Sequence, residues 1–383
     1  MRRVGVFAGS RADLWPLVPV LEAAAAEPAL EPVLVAGGTV GPRELGEVGA
    51  RPGVGDLEVV KVPAPAPDDS AVALVAAAAR GATALAETLA ERPVEMLCLL
   101  GDRYETLAAA WAATVLRVPI VHLHGGELTA GAIDDPMRHA ITKLAHLHCC
   151  AHEVYAARVR RMGEEAWRVH VTGAPGLDRL SADAARTTLE AICEDLGVPL
   201  HRPAVLCTYH PTTAHPEVGV AEVEAILDAL AEVPTVLITA PGADPGAHVL
   251  TERMQQWCAR RSGAVLVPSL GARYPAALAG VDVVVGNSSS GIIEAPTLGT
   301  PTVNVGARQA GRVRAASVID VPGDADRVRA AIAAALSPDA RVRAAGAMNP
   351  YGDGRAGPRV ARVMAQAPLD RLIPKGFAEE ADA

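Results

Sequence analysis

The sequence predicts an α/β protein of two Rossmann-like domains in tandem, each a parallel sheet covered by helices. Three observations carry that expectation. Short β-branched runs alternate with longer Ala- and Leu-rich stretches along nearly the whole chain. The alternation pauses and restarts near residue 183. The 383 residues, 50% of them apolar, suffice for two cores at roughly 100–200 residues per domain.

In the first half, residues 4–8, 33–36, 96–100, 120–122 and 169–172 read as strands. Residues 74–90 and 106–116 read as helices between them. After residue 183 the strands are 205–208, 235–239, 265–267, 281–285 and 302–305. A helix over 183–196, stopped by Gly197-Val198-Pro199, joins the halves. The expected domains are 1–182 and 183–355. From about Pro368 the chain is charged and Ala-rich and is expected to fray.

Composition excludes several classes. The net charge of −9 argues against nucleic acid or an anionic membrane surface as partner. It leaves room for a phosphate ligand in a locally positive pocket. No run approaches ~18 uninterrupted apolar residues, so no membrane span is expected. The opening Met1-Arg2-Arg3-Val4 resembles a signal peptide, but Arg11 and Asp13 interrupt it. The expectation is a mature protein that starts at Met1 and is cytoplasmic. The six cysteines form no CxxC pair, so buried free thiols are expected rather than zinc or disulfides. No GxGxxG follows the first strand, which weakens a dinucleotide reading.

Open α/β sheets bind ligands at the carboxyl ends of their strands, so the loops there carry the candidates. Gly286-Asn287-Ser288-Ser289-Ser290-Gly291 lies between a strand and a helix expected over 292–298. Free N–H groups and hydroxyls there suit a phosphate or diphosphate. One serine would suffice as an N-cap; three flanked by glycines exceed that need. Glu294, one turn on, can accept from ribose hydroxyls or simply complement the helix dipole. Arg11, in Gly9-Ser10-Arg11-Ala12-Asp13, and Arg103, after Asp102, are candidate phosphate partners or solvated loop residues. Asp102 is a candidate acid/base or a helix cap. His210, in Tyr209-His210-Pro211, can bind phosphate, move a proton or pack in a turn. Arg308 and Arg312 add cations to that edge. The densest loop runs from His122 to Asp135 and holds His124, Glu127 and Asp134. Two His-x-His pairs suggest a metal, but a third ligand is not evident, so none is expected.

Taken together, GSRAD (9–13), LGDRYE (100–105), HLHGGELTAGAIDD (122–135), RHAITKLAHLH (138–148), VTGAPGLDRL (171–180), HPTT (210–213), GNSSSGIIEAPTLGTPTVNVG (286–306), RQAGR (308–312) and NPYGDG (349–354) resemble the UDP-N-acetylglucosamine 2-epimerases. The resemblance is to the hydrolysing branch that serves sialic-acid-type sugars, and it covers residues 9 to 354. It implies a GT-B-like architecture, with two Rossmann-like domains facing a cleft that holds UDP. It also implies a helix over 356–370 that crosses back to the first domain, followed by a tail over 371–383. Arg11, Arg103, His210, Ser288, Ser289, Ser290, Glu294 and Arg308 would hold UDP. Asp102, His124, Glu127, Asp134 and His210 would serve catalysis. No cofactor or metal is implied, and the expected assembly is a homodimer or homotetramer. The implied reaction is elimination of UDP to a 2-acetamidoglucal, then hydration to N-acetylmannosamine.

Three positions depart from the family pattern. His124 stands where many relatives carry Glu, Gly242 where Asn is common and Ala307 where Asp is common. These leave sugar identity open. Alternatives are the same reaction on a UDP-2,4-diacetamido-2,4,6-trideoxyhexose, a non-hydrolysing epimerase, a UDP-sugar glycosyltransferase, and a UDP-sugar-binding protein with little turnover.

Overall fold

Two parallel sheets organise the chain. The computed structural model describes residues 1–379 apart from Pro52, Ala214 and Ala243. The first sheet contains β1 (Arg2–Ala8), β2 (Leu30–Gly37), β3 (Glu58–Val62), β4 (Met96–Leu100), β5 (Ile120–Leu123), β6 (Leu147–Cys150) and β7 (Val169–Val171). Its spatial order is β3-β2-β1-β4-β5-β6-β7. The second contains β8 (Ala204–Thr208), β9 (Thr235–Thr239), β10 (Ala264–Val267), β11 (Val283–Gly286), β12 (Thr302–Val305) and β13 (Val318–Val321), ordered β10-β9-β8-β11-β12-β13. Both are Rossmann-like, as the alternation predicts. In each, the order reverses beside the first strand, at β1/β4 and at β8/β11. Ligands favour such switch points.

The strands bury both faces, so side chains alternate between two cores. From β1 and β4, Val4, Val6, Met96 and Cys98 point to one side. Phe7, Leu97 and Leu99 point to the other. In the second sheet Val205, Cys207 and Val285 face one layer, while Leu206 and Val284 face the opposite one. All six cysteines are buried free thiols, and burial pushes Cys98 up to about 12.

The chain divides into two compact units. The first comprises Met1–Glu127, Asp134–Asp178 and the chain from Tyr351 onward; the second comprises Leu128–Ile133 and Arg179–Pro350. The helix Ala356–Gln366 belongs to the first unit, where it packs on the helix Arg11–Ala25. Asp178 caps its start, accepting from the N–H groups of Ala356 (2.8 Å) and Gly357 (2.6 Å). The Arg2 guanidinium holds its end, donating to the carbonyls of Met364, Ala365 (3.2 Å) and Ala367 (2.9 Å). Positive charge at a helix C-terminus is stabilising.

Two expectations need correction. The single helix over 183–196 is two helices, Leu180–Ala184 and Leu189–Asp195. The first ends at its C-cap Ala185; Thr188 starts the second, its hydroxyl accepting from Ala191 N–H at 3.2 Å, as N-cap hydroxyls do. The frayed end from Pro368 is also not what the described part shows. Arg168 donates to the carbonyls of Arg371 (3.2 Å) and Leu372 (3.4 Å), and Ala378 N–H donates to Gly163 O at 2.9 Å. Residues 380–383 of the expected tail lie outside the described residues.

One helix, Ala71–Glu91, is long and apolar enough to cross a membrane by length and composition, although Arg80 and Glu87 break its apolar run. Leu74, Ala77, Ala82, Leu85 and Leu89 are buried, and the helix packs on its neighbour Tyr104–Val115.

Candidate functional site

In the first unit, parallel register sets the ends of β4 and β5 side by side. Leu100 pairs with Leu123, and Gly101 N–H donates to Leu123 O at 3.1 Å. Asp102 and His124 therefore leave the sheet together. Gly101 takes φ +83° to make that turn, a conformation glycine adopts without strain. The His122 Nε2–H donates to Gly101 O at 2.8 Å, pinning the turn from below. Burial drives His122 down to about 3, so it stays neutral and keeps that role.

Arg138 gathers the group. It is almost fully buried, ion-pairs with Asp102 and donates to His124 O at 2.9 Å. It sits on the helix Asp134–Leu144, one turn after Asp134, which begins that helix and is half-buried. Sequence reasoning assigns Arg138 no role; the signal that could have found it is an arginine at helical spacing behind two first-turn carboxylates. His124 Nδ1 lies 2.6 Å from Glu127 Oε1. Gly126 lets this loop approach the helix Glu153–Arg161: a side chain there would collide with Tyr155 O, and Arg158 donates to Gly126 O.

Arg103 folds back on Glu105, Nε to Oε2 at 3.2 Å, beside Asp13. Asp13 is buried, and burial pushes its carboxyl up to about 7 even against the opposing pull of Arg103. Ser10 Oγ donates to it at 2.9 Å. Arg11 is half-buried and makes no ion pair among the described residues. Folding holds the Asp13 proton more tightly than the unfolded chain does, whose carboxyl titrates near the ordinary 3.8. This contribution to stability is therefore best below 3.8 and declines as pH rises through about 7. Asp13→Asn keeps an acceptor for Ser10 and removes the decline. Urea unfolding at two pH values is expected to show the variant gaining on wild type between pH ~5 and ~8. The gain should be a few kcal/mol, since each tenfold change in proton affinity is worth about 1.4 kcal/mol.

In the second unit, Asn287 is the hub. Gly286 pairs with Thr208 and lies so close to Thr208 O that a side chain is excluded. Asn287, fully buried, then accepts from His210 N–H at 2.7 Å and donates to His210 O at 2.9 Å. Its carbonyl collects Gln309 Nε2 at 2.8 Å and Arg308 Nη1 at 3.2 Å. One residue thus fixes the His210 turn, the serine loop and the arginine loop together. Sequence reasoning gives Asn287 and Gln309 no role, because neither type announces a backbone-holding function. His210 Nδ1 stands 4.0 Å from Asp244 Oδ2.

The serines differ from one another. Ser289 precedes a helix of only four residues, Ser290–Ile293, followed by a 3-10 turn, Ala295–Leu298. The expected continuous helix fails because Pro296 lacks the N–H that would bond back. Ser290 Oγ donates to Glu294 Oε2 at 2.6 Å and accepts from Tyr274 OH at 2.8 Å. Ser288 Oγ accepts weakly from Ser290 N–H at 3.4 Å. The segment Leu128–Ile133 belongs to this unit. Ile133 N–H donates to Thr213 Oγ1 at 2.9 Å, Arg312 Nε donates to Leu128 O at 3.1 Å, and Gly131 rests on Arg308 and Thr212.

Two further histidines are structural. His146 Nδ1 accepts from Ile120 N–H at 3.1 Å, and His148 binds Glu164 at 2.9 Å. Among the described residues no three His, Cys, Asp or Glu side chains are grouped to hold a metal ion.

Comparison with known proteins shows the family. The pattern of the UDP-N-acetylglucosamine 2-epimerase family matches residues 22–365. The chain is 35% identical over 280 residues, 73% of each protein, to UDP-N,N'-diacetylbacillosamine 2-epimerase (hydrolyzing) of Legionella pneumophila. It is 33% identical over 264 residues, 68% of each, to GDP/UDP-N,N'-diacetylbacillosamine 2-epimerase (hydrolyzing) of Campylobacter jejuni. The crystal structure of UDP-GlcNAc 2-epimerase from Neisseria meningitidis bound to UDP-GlcNAc shares the fold, with a TM-score of 0.79 at 17% identity over 95% of this chain and 99% of that one. The two switch-point sheets are therefore those of a GT-B-like enzyme, and the chain belongs to the UDP-N-acetylglucosamine 2-epimerase family.

Proposed function

We propose that this chain is a hydrolysing 2-epimerase of a UDP-2-acetamido sugar, acting on UDP-N-acetylglucosamine to give N-acetylmannosamine and UDP. The observation that carries this is the Asp102–Arg138 ion pair at the end of β4, which presents a fixed carboxylate beside His124. C2–H of a pyranose has no neighbouring carbonyl and is weakly acidic. A base can remove it only as the C1–oxygen bond breaks. Asp102 takes the C2 proton, the C–H pair becomes the C1–C2 double bond, and the C1–O pair leaves with UDP. Water then adds across the glycal, hydroxyl to C1 and hydrogen to the opposite face of C2. Every bond change balances without a redox partner.

The second unit suits the leaving group. Ser288, Ser289, Ser290, His210 and Arg308 gather around Asn287 with donors for a diphosphate, and Glu294 is an acceptor for ribose. On the first unit, Arg11 and Arg103 are the cations and Asp134 the further carboxylate that this reading assigns to the substrate. UDP-N,N'-diacetylbacillosamine is a second reading of the substrate, favoured by the two relatives so named. Proton and phosphorus NMR in D2O decides. Free UDP with C2-deuterated N-acetylmannosamine is expected from UDP-N-acetylglucosamine. UDP-N-acetylmannosamine would make the enzyme non-hydrolysing. No turnover of that sugar with release of UDP from the diacetamido sugar would establish the second reading, and inertness toward both would defeat the proposal.

We also infer that the protein self-associates. Val72 and Val75 on the helix Ala71–Glu91, and Trp111 and Val115 on its packed neighbour, are 81%, 70%, 59% and 68% exposed. Large apolar side chains this exposed on two packed helices suit cover by a second copy. Light scattering is expected to find a dimer or larger assembly for wild type and monomer for Trp111→Glu with Val75→Glu. An unchanged mass would remove this face from assembly.

A further inference from the structure

The mechanism above leaves the second half of the reaction without an assigned proton donor. It also leaves Glu127 with a carboxylate that cannot reach a sugar. Glu127 is fully buried, whereas His124 is 9% exposed. Of the two, only the imidazole reaches the surface of the unit.

The imidazole is held at every other point. Its backbone N–H donates to Cys149 O at 3.2 Å, and its carbonyl accepts from Arg138 at 2.9 Å. Its φ is +61°, in the left-handed region that side-chain-bearing residues occupy at a cost, and that recurs where function fixes the backbone. Nδ1 lies 2.6 Å from Glu127 Oε1. A carboxylate only accepts, so the proton between them sits on Nδ1, and Nε2 is the nitrogen left for chemistry. Arg138 also ion-pairs with Asp102, so one guanidinium fixes Asp102 and His124 in relation to each other.

We propose that His124 and Glu127 form one proton-transfer unit that carries out the hydration step, with His124 the catalytic residue and Glu127 a positioning residue acting through it. The inference rests on the epimerase reading above. Asp102 removes the C2 proton in the elimination and returns it to solvent. The imidazolium of His124 then donates its Nε2 proton to C2 of the glycal from the other face, and the C1–C2 electron pair forms the new C–H bond. Water attacks the oxocarbenium carbon C1 and gives its proton back to Nε2. Glu127 stabilises the imidazolium at each stage. His124 is thus a donor built for this step, and Glu127 is what makes it one.

The test separates the two half-reactions. Wild type supplied with the UDP-sugar must release UDP and the 2-epimeric free sugar; if it does neither with either candidate sugar, the epimerase reading fails and not this inference. With that established, His124→Asn, whose side chain tolerates the left-handed backbone, and Glu127→Gln are each expected to release UDP together with an accumulating 2-acetamidoglucal. Conversion of the glycal to free sugar should fall by about 100-fold, the low end for loss of an acid–base group. Asp102→Asn should do the reverse, failing to release UDP while still hydrating added glycal. The double variant should be no worse than His124→Asn alone, as residues acting as a unit are non-additive. UDP binding measured by calorimetry shows that each variant is folded. Loss of UDP release in His124→Asn, or a further loss on adding Glu127→Gln to it, would overturn the assignment. Nitrogen-15 NMR of the histidines gives a readout apart from turnover: Nδ1–H is expected for His124 in wild type and loss of that preference in Glu127→Gln.

Discussion

Asp102→Asn is expected to lower turnover by at least about 100-fold while UDP affinity stays near that of wild type, in line with removal of an acid–base group. The substitution is nearly isosteric, and the Asn carbonyl can still accept from Arg138. What it loses is the charge that lets the side chain take a proton. Its surroundings are built to keep it in place. Gly101 makes the turn, the neutral His122 grips the Gly101 carbonyl, and Thr142 Oγ1 stands 3.2 Å from His122 Nδ1. The serine loop, His210 and Arg308 belong to the other unit, around Asn287, so a change at Asp102 should not disturb them; Arg103, its neighbour, keeps its own partner in Glu105. Steady-state UDP release and calorimetric titration with UDP check both halves. Near-normal turnover would remove Asp102 from the mechanism, and a parallel fall in UDP affinity would make it a binding residue instead.

Much of this fold was legible because its strands are short, uninterrupted apolar or β-branched runs. Residues 96–100, 235–239 and 302–305 are strands with the bounds expected. The strands that escaped have reasons. β6 reads Leu-His-Cys-Cys, and its histidine and cysteines look like chemistry rather than a core strand. β3 carries Glu58 and Lys61 at an edge of the sheet, where polar residues are tolerated. The helix Arg11–Ala25 contains Pro16 and Pro19, each of which opposes a helix by about 3 kcal/mol. Burial of Leu14, Leu17, Val18, Val20 and Leu21, at about 1.5–3 kcal/mol for each large side chain, outweighs them.

The candidate site was legible where a residue's type states its chemistry, as with Asp102, His124 and the serine loop. It was not legible where a residue acts on the backbone. Asn287, Gln309, Arg138 and His122 hold carbonyls and N–H groups brought together by sheet register, and no spacing along the chain encodes that. The proposed role of Glu127 was hidden for the same reason. A glutamate three residues after a histidine reads as a second group for the substrate until its burial is known.

Glu164→Gln is expected to destabilise the first unit by about 3–5 kcal/mol, the cost of breaking a buried ion pair from one side, or roughly 10 °C in its melting midpoint. Glu164 is fully buried and receives three partners: His148 Nε2 at 2.9 Å, Lys143 Nζ at 2.6 Å and Lys375 Nζ at 2.9 Å. Lys375 also donates to the carbonyls of Lys143 (2.6 Å) and Ala145 (2.7 Å), which ties the end of the chain to the strand-bearing core. Burial alone would raise the Glu164 carboxyl. The bonds from His148 and Lys143 and the charge of Lys375 outweigh it and hold the group at about 2. A carboxyl depressed on folding stabilises at pH above its unfolded value, near 4.5, and that contribution is lost as pH falls toward 2. The gap between wild type and variant should therefore be full at pH 7 and close on acidification. Gln keeps the shape but leaves two ammonium groups beside a neutral amide, so Lys375→Met in the Glu164→Gln background should recover part of the loss. A gap that does not depend on pH would mean that packing, not charge, anchors the chain's return.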